Sequence, residues 1–140
     1  MQDLLTIVIP CKNEENYIVP LLEDLLQQHD IGDVRIIIAD ADSTDATVPL
    51  INTYKGDLNI EVIKGGNVSV GRNNGAKLVT TPYILFLDAD VRFFHSRAIS
   101  DTLYQMRTYN LDLMTLNIKN YGTDLRASFF FWDSILSIRL

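Results

Sequence analysis

The sequence predicts an α/β domain, a mostly parallel sheet flanked by helices on both faces. Three observations carry this reading. Short apolar runs alternate with stretches of helical periodicity, the pattern of β-α-β units. Several of these runs are apolar at consecutive positions, as in strands covered on both faces. Three of them end in polar or acidic clusters, which in an open parallel sheet meet at the carboxyl edge where ligands bind.

Each element follows from its residues. Leu4 to Ile9 is a buried strand stopped by Pro10. A polar loop from Cys11 to Glu15 follows, with Asn13 as candidate N-cap. The helix over Asn16 to His29 rests on Ile18, Leu21, Leu22, Leu25 and Leu26 at helical spacing, with Glu14 and Glu15 suiting its dipole. Gly32-Asp33 closes it, and Val34 to Ala39 is the second strand. Asp40, Asp42 and Asp45 come next, around Ser43 and Thr44, and Asp-Ser-Thr-Asp can cap a helix from about Ala46 to Tyr54. Ile60 to Ile63 is the third strand and Gly65-Gly66-Asn67 a turn. Val70 to Val79 reads as a helix interrupted by Gly71 and Gly75, with Pro82 helping to end it. Tyr83 to Leu87 is the fourth strand. Ser96 can cap a helix to about Tyr109, with Ile99, Leu103 and Met106 inward, before a fifth strand over Leu113 to Ile118.

The closing segment, Asp124 to Leu140, carries Phe129, Phe130, Phe131 and Trp132 and reads as a helix apolar on more than one face. Core packing accounts for that pattern. The alternatives are an interfacial helix on a membrane, edged by Arg126 and Arg139, a homo-oligomer contact, or a surface covered by further chain.

The 140 residues suit one domain, and 47% hydrophobic against 21% charged content marks it as globular. A net charge of −6 argues against nucleic acid as the main partner. It leaves room for a phosphate-bearing small molecule held by a metal and one or two basic residues. The lone Cys11 fits a reducing compartment. The first strand starts too close to Met1 for a signal peptide, and no run of about 18 apolar residues occurs. A cytoplasmic protein, with peripheral membrane contact as the variant, is expected.

The chemistry centres on Asp88-Ala89-Asp90, where the fourth strand ends in two carboxylates. Hard oxygen donors on a short turn suit Mg²⁺ or Mn²⁺ with open positions for substrate phosphates; the plain alternative is a solvated loop. Carboxylates repel phosphate, so a cation is needed, and Arg72 in Gly71-Arg72-Asn73-Asn74-Gly75 can fork onto phosphate oxygens. A surface helix arginine is its plain reading. Neither a Gly-x-x-x-x-Gly-Lys-Ser/Thr loop nor a Gly-x-Gly-x-x-Gly turn is present. Cys11 has no neighbouring histidine to activate it, since His29 and His95 belong to other segments, so it reads as a structural thiol. His95, five residues beyond Asp90, either approaches the metal or faces solvent.

Thr6-Ile7-Val8-Ile9-Pro10 followed by Asn13-Glu14-Glu15 resembles the opening of family 2 glycosyltransferases of the Rossmann-like GT-A fold. Asp40-Ala41-Asp42-Ser43-Thr44-Asp45 resembles their nucleotide-contacting second-strand motif. Gly71 to Gly75 resembles their Ala-Arg-Asn-x-Gly helix, and Phe86-Leu87-Asp88-Ala89-Asp90 their Asp-x-Asp signature. The resemblance covers about Leu4 to Val91. It implies that Pro10 and Glu14 line a nucleoside pocket, that Asp40 bonds the base, and that Asp42 belongs to the nucleotide-contacting motif. It implies further that Arg72 lies near the diphosphate or sugar, that Asp88 contacts ribose or sugar, and that Asp90, with Asp88, holds Mg²⁺ or Mn²⁺. The implied reaction moves a sugar from a nucleoside-diphosphate donor to a hydroxyl of a saccharide or lipid-linked acceptor, with inversion and a carboxylate base.

Two positions depart from the family pattern: Ala41 replaces a frequent second aspartate, and Gly71 stands where alanine is usual. Family catalytic domains are longer than 140 residues, and no general base is identified, since Asp124 and Asp133 lie in or beside the terminal helix. The chain is therefore expected to be a donor-binding part lacking the acceptor part. The competing readings are a non-catalytic nucleotide-sugar-binding or scaffold module, a flavodoxin-like phosphoacceptor domain, and a nucleotidyltransferase. Pro10-Cys11-Lys12 at the first strand's end disfavours the second, and the missing glycine-rich first loop disfavours the third.

Overall fold

The computed structural model describes residues 1–115 and the backbone of residues 135–139. Its elements run β1 (Leu5–Cys11), α1 (Ile18–Leu26), β2 (Arg35–Asp40), α2 (Thr47–Thr53), β3 (Ile60–Lys64), α3 (Val68–Ala76), β4 (Tyr83–Leu87), α4 (Ala98–Thr108), β5 (Leu113–Thr115) and β6 (Ile135–Arg139). They form one sheet of order β3-β2-β1-β4-β6-β5. The first four strands are parallel neighbours, as the alternating pattern predicts. Because β1 lies between β2 and β4, the sheet changes its direction of growth there. The carboxyl ends of β1 and β4 form the switch point at which open α/β sheets take ligands.

The terminal segment corrects the sequence reading. Ile135–Arg139 is a strand, antiparallel to both β4 and β5, where a helix was expected. Residues 124–134 and Leu140 of that expected helix lie outside the described residues, as do 116–118 of the fifth strand. No helix among the described residues is long and apolar enough to cross a membrane.

The two faces of the sheet are unequal. One side of β1, β2 and β4 (Leu5, Ile7, Ile9, Ile36, Ile38, Leu85, Leu87) packs on Ile18, Leu21, Leu22 and Leu25 of α1, Ile51 of α2, and Ile99, Leu103 and Met106 of α4. A fully buried side chain of this kind contributes about 1.5–3 kcal/mol, so this face dominates stability. The other face is thin: Val8, Ile37, Ile84 and Phe86, with Ile63, Ala76 and Val79 against them. There α3 approaches closely through its glycines. A Cβ at Gly71 would stand 3.1 Å from Pro10 Cβ, and one at Gly75 would overlap Val8 Cγ1. The glycines are thus the packing face of α3, not interruptions of it.

Local capping differs from the sequence expectation at all four helix starts. At α2 the N-cap is Ala46, without a side-chain bond, and its neighbour Asp45 accepts the Thr47 N–H on Oδ1 at 3.0 Å. Asn13 does not cap α1; Tyr17 occupies the N-cap without a side-chain bond, and Tyr17 and Ile18 donate to the Glu14 carbonyl. Ser96 does not cap α4, whose N-cap is Arg97. Helix α3 begins at Val68, ahead of the expected Val70, because Asn67 caps it by accepting the Val70 N–H at 3.0 Å.

Candidate functional site

The loops after β1 and β2 are laced into one unit. The two strands end side by side, Cys11 opposite Asp40, and the Ala41 N–H donates to the Cys11 carbonyl at 2.9 Å. Asn13, in a left-handed conformation (φ 55), donates its N–H to Ser43 Oγ and accepts the Thr44 N–H on Oδ1, both at 2.9 Å. Glu15 and Asp45 exchange bonds between the loops: Glu15 N–H to Asp45 Oδ2 at 3.2 Å, and Ala46 N–H to Glu15 Oε2 at 3.0 Å. The Glu14 N–H donates to the buried Thr47 hydroxyl at 2.7 Å, which in turn donates to Asp45 Oδ1 at 2.5 Å. Burial works against the charge on Asp45, yet these bonds hold its carboxyl below the usual range.

That lacing leaves Glu14 half-buried at the carboxyl edge. Burial, then the charges of Asp90, Asp45 and Asp88, push its carboxyl above the usual range. Asp40 is fixed by Ser43, whose N–H reaches Oδ2 at 3.1 Å and whose hydroxyl reaches Oδ1 at 2.5 Å. The Cys11 thiol also donates to Asp40 Oδ1, at 3.6 Å. Burial first, and Asp40 next, push this thiol up to about 12, so it stays protonated and structural. Asp42 is exposed at the tip of the β2–α2 loop, in a left-handed conformation (φ 56).

From the other side of β1 come α3 and β4. Gly71 packs on Pro10, and the next residue, Arg72, donates from Nη2 to Asp88 Oδ1 at 2.6 Å. Its Nε is buried and has no hydrogen-bond partner among the described residues. Asp88 is half-buried, Ala89 buried and Asp90 exposed. The pattern described as Glycosyl transferase family 2 matches residues 6–132 of this chain.

The chain belongs to that family.

TarP of Staphylococcus aureus (strain N315), a poly(ribitol-phosphate) beta-N-acetylglucosaminyltransferase, is 36% identical over 96 residues, which are 66% of this chain and 28% of TarP. The crystal structure of S. aureus TarS residues 1–349 with UDP-GlcNAc superposes with a TM-score of 0.74 at 24% identity, covering 83% of this chain and 34% of that one. The mannosyltransferase PcManGT of Pyrobaculum calidifontis, with GDP-Man and Mn²⁺, gives a TM-score of 0.78 at 14% identity, over 96% and 44%. At these identities the structural likeness carries the fold, the GT-A arrangement expected from the sequence. This family 2 chain spans less than half the length of each.

The donor set of the family 2 chain fits a metal shared with a substrate. Among the described residues no group of three or more His, Cys, Asp and Glu could hold an ion by itself. Mg²⁺ bound between protein and phosphates needs only one or two carboxylates, the rest of its shell being substrate and water. Asp90, exposed beyond β4 and close enough to perturb Glu14, offers a carboxylate of the kind such a site needs. His95 is exposed, and what the structure ties down is its carbonyl, which accepts Gln28 Nε2 at 3.0 Å. Asp124 and Asp133 lie outside the described residues. Ser43, Asp45 and Thr47 hold the site's frame; the sequence reading assigned Ser43 and Asp45 to the α2 cap and the nucleotide-contacting motif and did not single out Thr47.

Proposed function

We propose that this chain binds a nucleoside-diphosphate sugar and, with a divalent metal, supports inverting transfer of the sugar to an acceptor hydroxyl. One observation carries the reading. The ends of β1, β2 and β4 deliver Glu14, Asp40, Asp88 and Asp90 to one edge at the switch point, and α3 adds the cation Arg72. The solved relatives support the donor class: TarS holds UDP-GlcNAc, and PcManGT holds GDP-Man with Mn²⁺.

Roles follow from chemistry. Pro10 and Glu14 line the nucleoside pocket. Asp40 Oδ1 takes the Ser43 hydroxyl and the Cys11 thiol, while among the described residues Oδ2 takes only the Ser43 N–H and keeps a lone pair for a base that offers an N–H. Asp42 sits exposed on the same loop and completes the nucleotide side. Arg72, partly exposed and tied to Asp88 through Nη2, has further guanidinium N–H groups for a phosphate oxygen, and Asp88, oriented by Arg72, receives a ribose or sugar hydroxyl. Asp90, with Asp88, holds Mg²⁺ or Mn²⁺. A bound metal supplies Lewis-acid stabilisation of the departing diphosphate. The acceptor is a saccharide or lipid-linked hydroxyl, and the reaction belongs in the cytoplasm, where the lone Cys11 stays reduced.

Calorimetric titration with UDP, GDP and dTDP, each with and without Mn²⁺, tests this beside an Asp90→Ala variant. Saturable binding of one diphosphate that needs Mn²⁺ and disappears in the variant is expected. Binding that ignores both the metal and the substitution would remove the metal site from the proposal. No binding at all by a folded chain would remove the donor site.

A further inference from the structure

Helix α1 and the turn that follows it carry two polar side chains, Asp24 and Gln28, whose partners lie beyond the Asp88-Ala89-Asp90 turn. Asp24, with a side chain only 15% exposed, accepts three hydrogen bonds. They come from Arg92 Nε at 2.7 Å, Arg92 Nη2 at 2.9 Å and the Phe93 N–H at 2.9 Å. Gln28, in the turn after α1 and buried, donates to the His95 carbonyl at 3.0 Å and accepts the Ile99 N–H at 3.3 Å. The His29 N–H adds a bond to the Ser96 carbonyl at 2.7 Å. The stretch from Asp88 to Arg97 lies outside any helix or strand, so α1 and the turn after it supply directional bonds that no sheet ladder gives it.

Apolar packing fixes a loop's distance from its neighbour. A guanidinium fork with an adjacent backbone N–H on one carboxylate also fixes its orientation. Arg92 stands two residues after Asp90, so an orientation set at Arg92 is passed to the carboxylate turn through very little backbone. An exposed ion pair contributes little, but Asp24 is mostly buried and its carboxylate is triply bonded.

We infer that Asp24 and Gln28 are positioning residues for Asp90, setting the metal affinity of a site that neither of them touches. The inference rests on the donor-site reading above. The test uses the 140-residue chain and two readouts: hydrogen exchange of the amides of residues 88–94, which needs no ligand, and the Mn²⁺ concentration for half-maximal diphosphate binding. Asp24→Ala is expected to speed exchange across 88–94 by about tenfold while the amides of β1 and β2 keep their protection. It should raise the Mn²⁺ midpoint by about tenfold, as loss of outer-shell support does, and leave the extent of diphosphate binding at saturating Mn²⁺ unchanged. Asp24→Asn, which keeps an oxygen for the Phe93 N–H, should fall between. If Asp24→Ala also loosens β1 and β2, Arg92→Lys takes its place under the same criteria, keeping the charge without the fork. A wild-type chain that binds a diphosphate with Mn²⁺ while the variant matches it in both readouts overturns the inference alone. The diphosphate used is whichever of UDP, GDP and dTDP the wild-type chain binds; a wild-type chain with Mn²⁺-dependent binding of none of them overturns the donor reading, and the inference with it.

Discussion

Cys11 closes β1 with its thiol on Asp40, and burial, aided by that carboxylate, pushes its pKa from 9.0 up to about 12. Between those values the unfolded chain gives up a proton that the native chain keeps. The stability contributed by this neutral thiol is therefore complete below about pH 9 and lost as pH rises toward 12. Reactivity follows the same difference. At pH 8 the native thiolate fraction is about a thousandfold below that of the unfolded chain, and alkylation by iodoacetamide should slow in proportion. A native rate within tenfold of the denatured rate would show the thiol to be open. Asp40→Asn removes the second cause of the shift and should speed native alkylation while burial still restrains it. Cys11 as a structural thiol was legible in the sequence from the lack of a partner histidine. Its pairing with Asp40 was not, because a residue's neighbour on the adjacent strand depends on register.

Helix α3 shows what a pattern along one element can hide. Gly71 and Gly75 look like helix breakers in sequence, and each does cost helix propensity of about 1 kcal/mol against alanine. In the fold they face β1, and a Cβ at Gly75 would overlap Val8 Cγ1 and stand 3.2 Å from Cγ2. Val8 is fully buried between neighbouring strands and cannot retreat. Overpacking of this kind costs about 1–3 kcal/mol, so it exceeds the propensity gain. Gly75→Ala should lower stability by about 1 kcal/mol, seen as a lower denaturant midpoint at unchanged slope. In a double-mutant cycle with Val8→Ala the two changes should couple favourably, since the shortened side chain frees the space. A stabilised Gly75→Ala would mean that α3 sits farther from the sheet. Strand β6 was hidden for a related reason. Ile135, Leu136, Ile138 and Leu140 stand close together in a short apolar run, and periodicity alone cannot tell a strand from a helix segment in such a run. What decides is pairing with β4, distant in sequence. The parallel strands were legible because their apolar runs stop at Pro10, Asp40 and Asp88, where the chain must turn into polar loops.

Across the whole molecule, a parallel sheet gathers carboxylates at one edge of a chain already at −6, and two of its acidic groups respond in opposite senses. Asp24, although burial works against it, is held below its ordinary 3.8 by Arg92 and the Phe93 N–H. Its stabilisation is present above 3.8 and lost as pH falls through the lowered native value. Glu14 is raised above 4.5 by burial and then by Asp90, Asp45 and Asp88. Its ionisation therefore opposes folding above the raised value, and that opposition fades as pH falls through 4.5. At Glu14 the edge that the sequence marked as a candidate site thus works against the fold, a common cost of a binding site. Asp90→Asn keeps the shape of the turn and removes one charge facing Glu14, so it should raise the metal-free melting temperature by about 2 °C. The same change should abolish the stabilisation given by Mn²⁺ together with the nucleoside diphosphate that the chain binds. A site at tenfold its Kd gains about 1.4 kcal/mol, or about 5 °C for a chain of this size, and the variant should show none of it. The two shifts have opposite signs in one variant, which a general loss of packing cannot produce. A lower metal-free melting temperature in Asp90→Asn would mean that this carboxylate makes a net favourable contact in the fold, and the electrostatic account of the edge would be wrong.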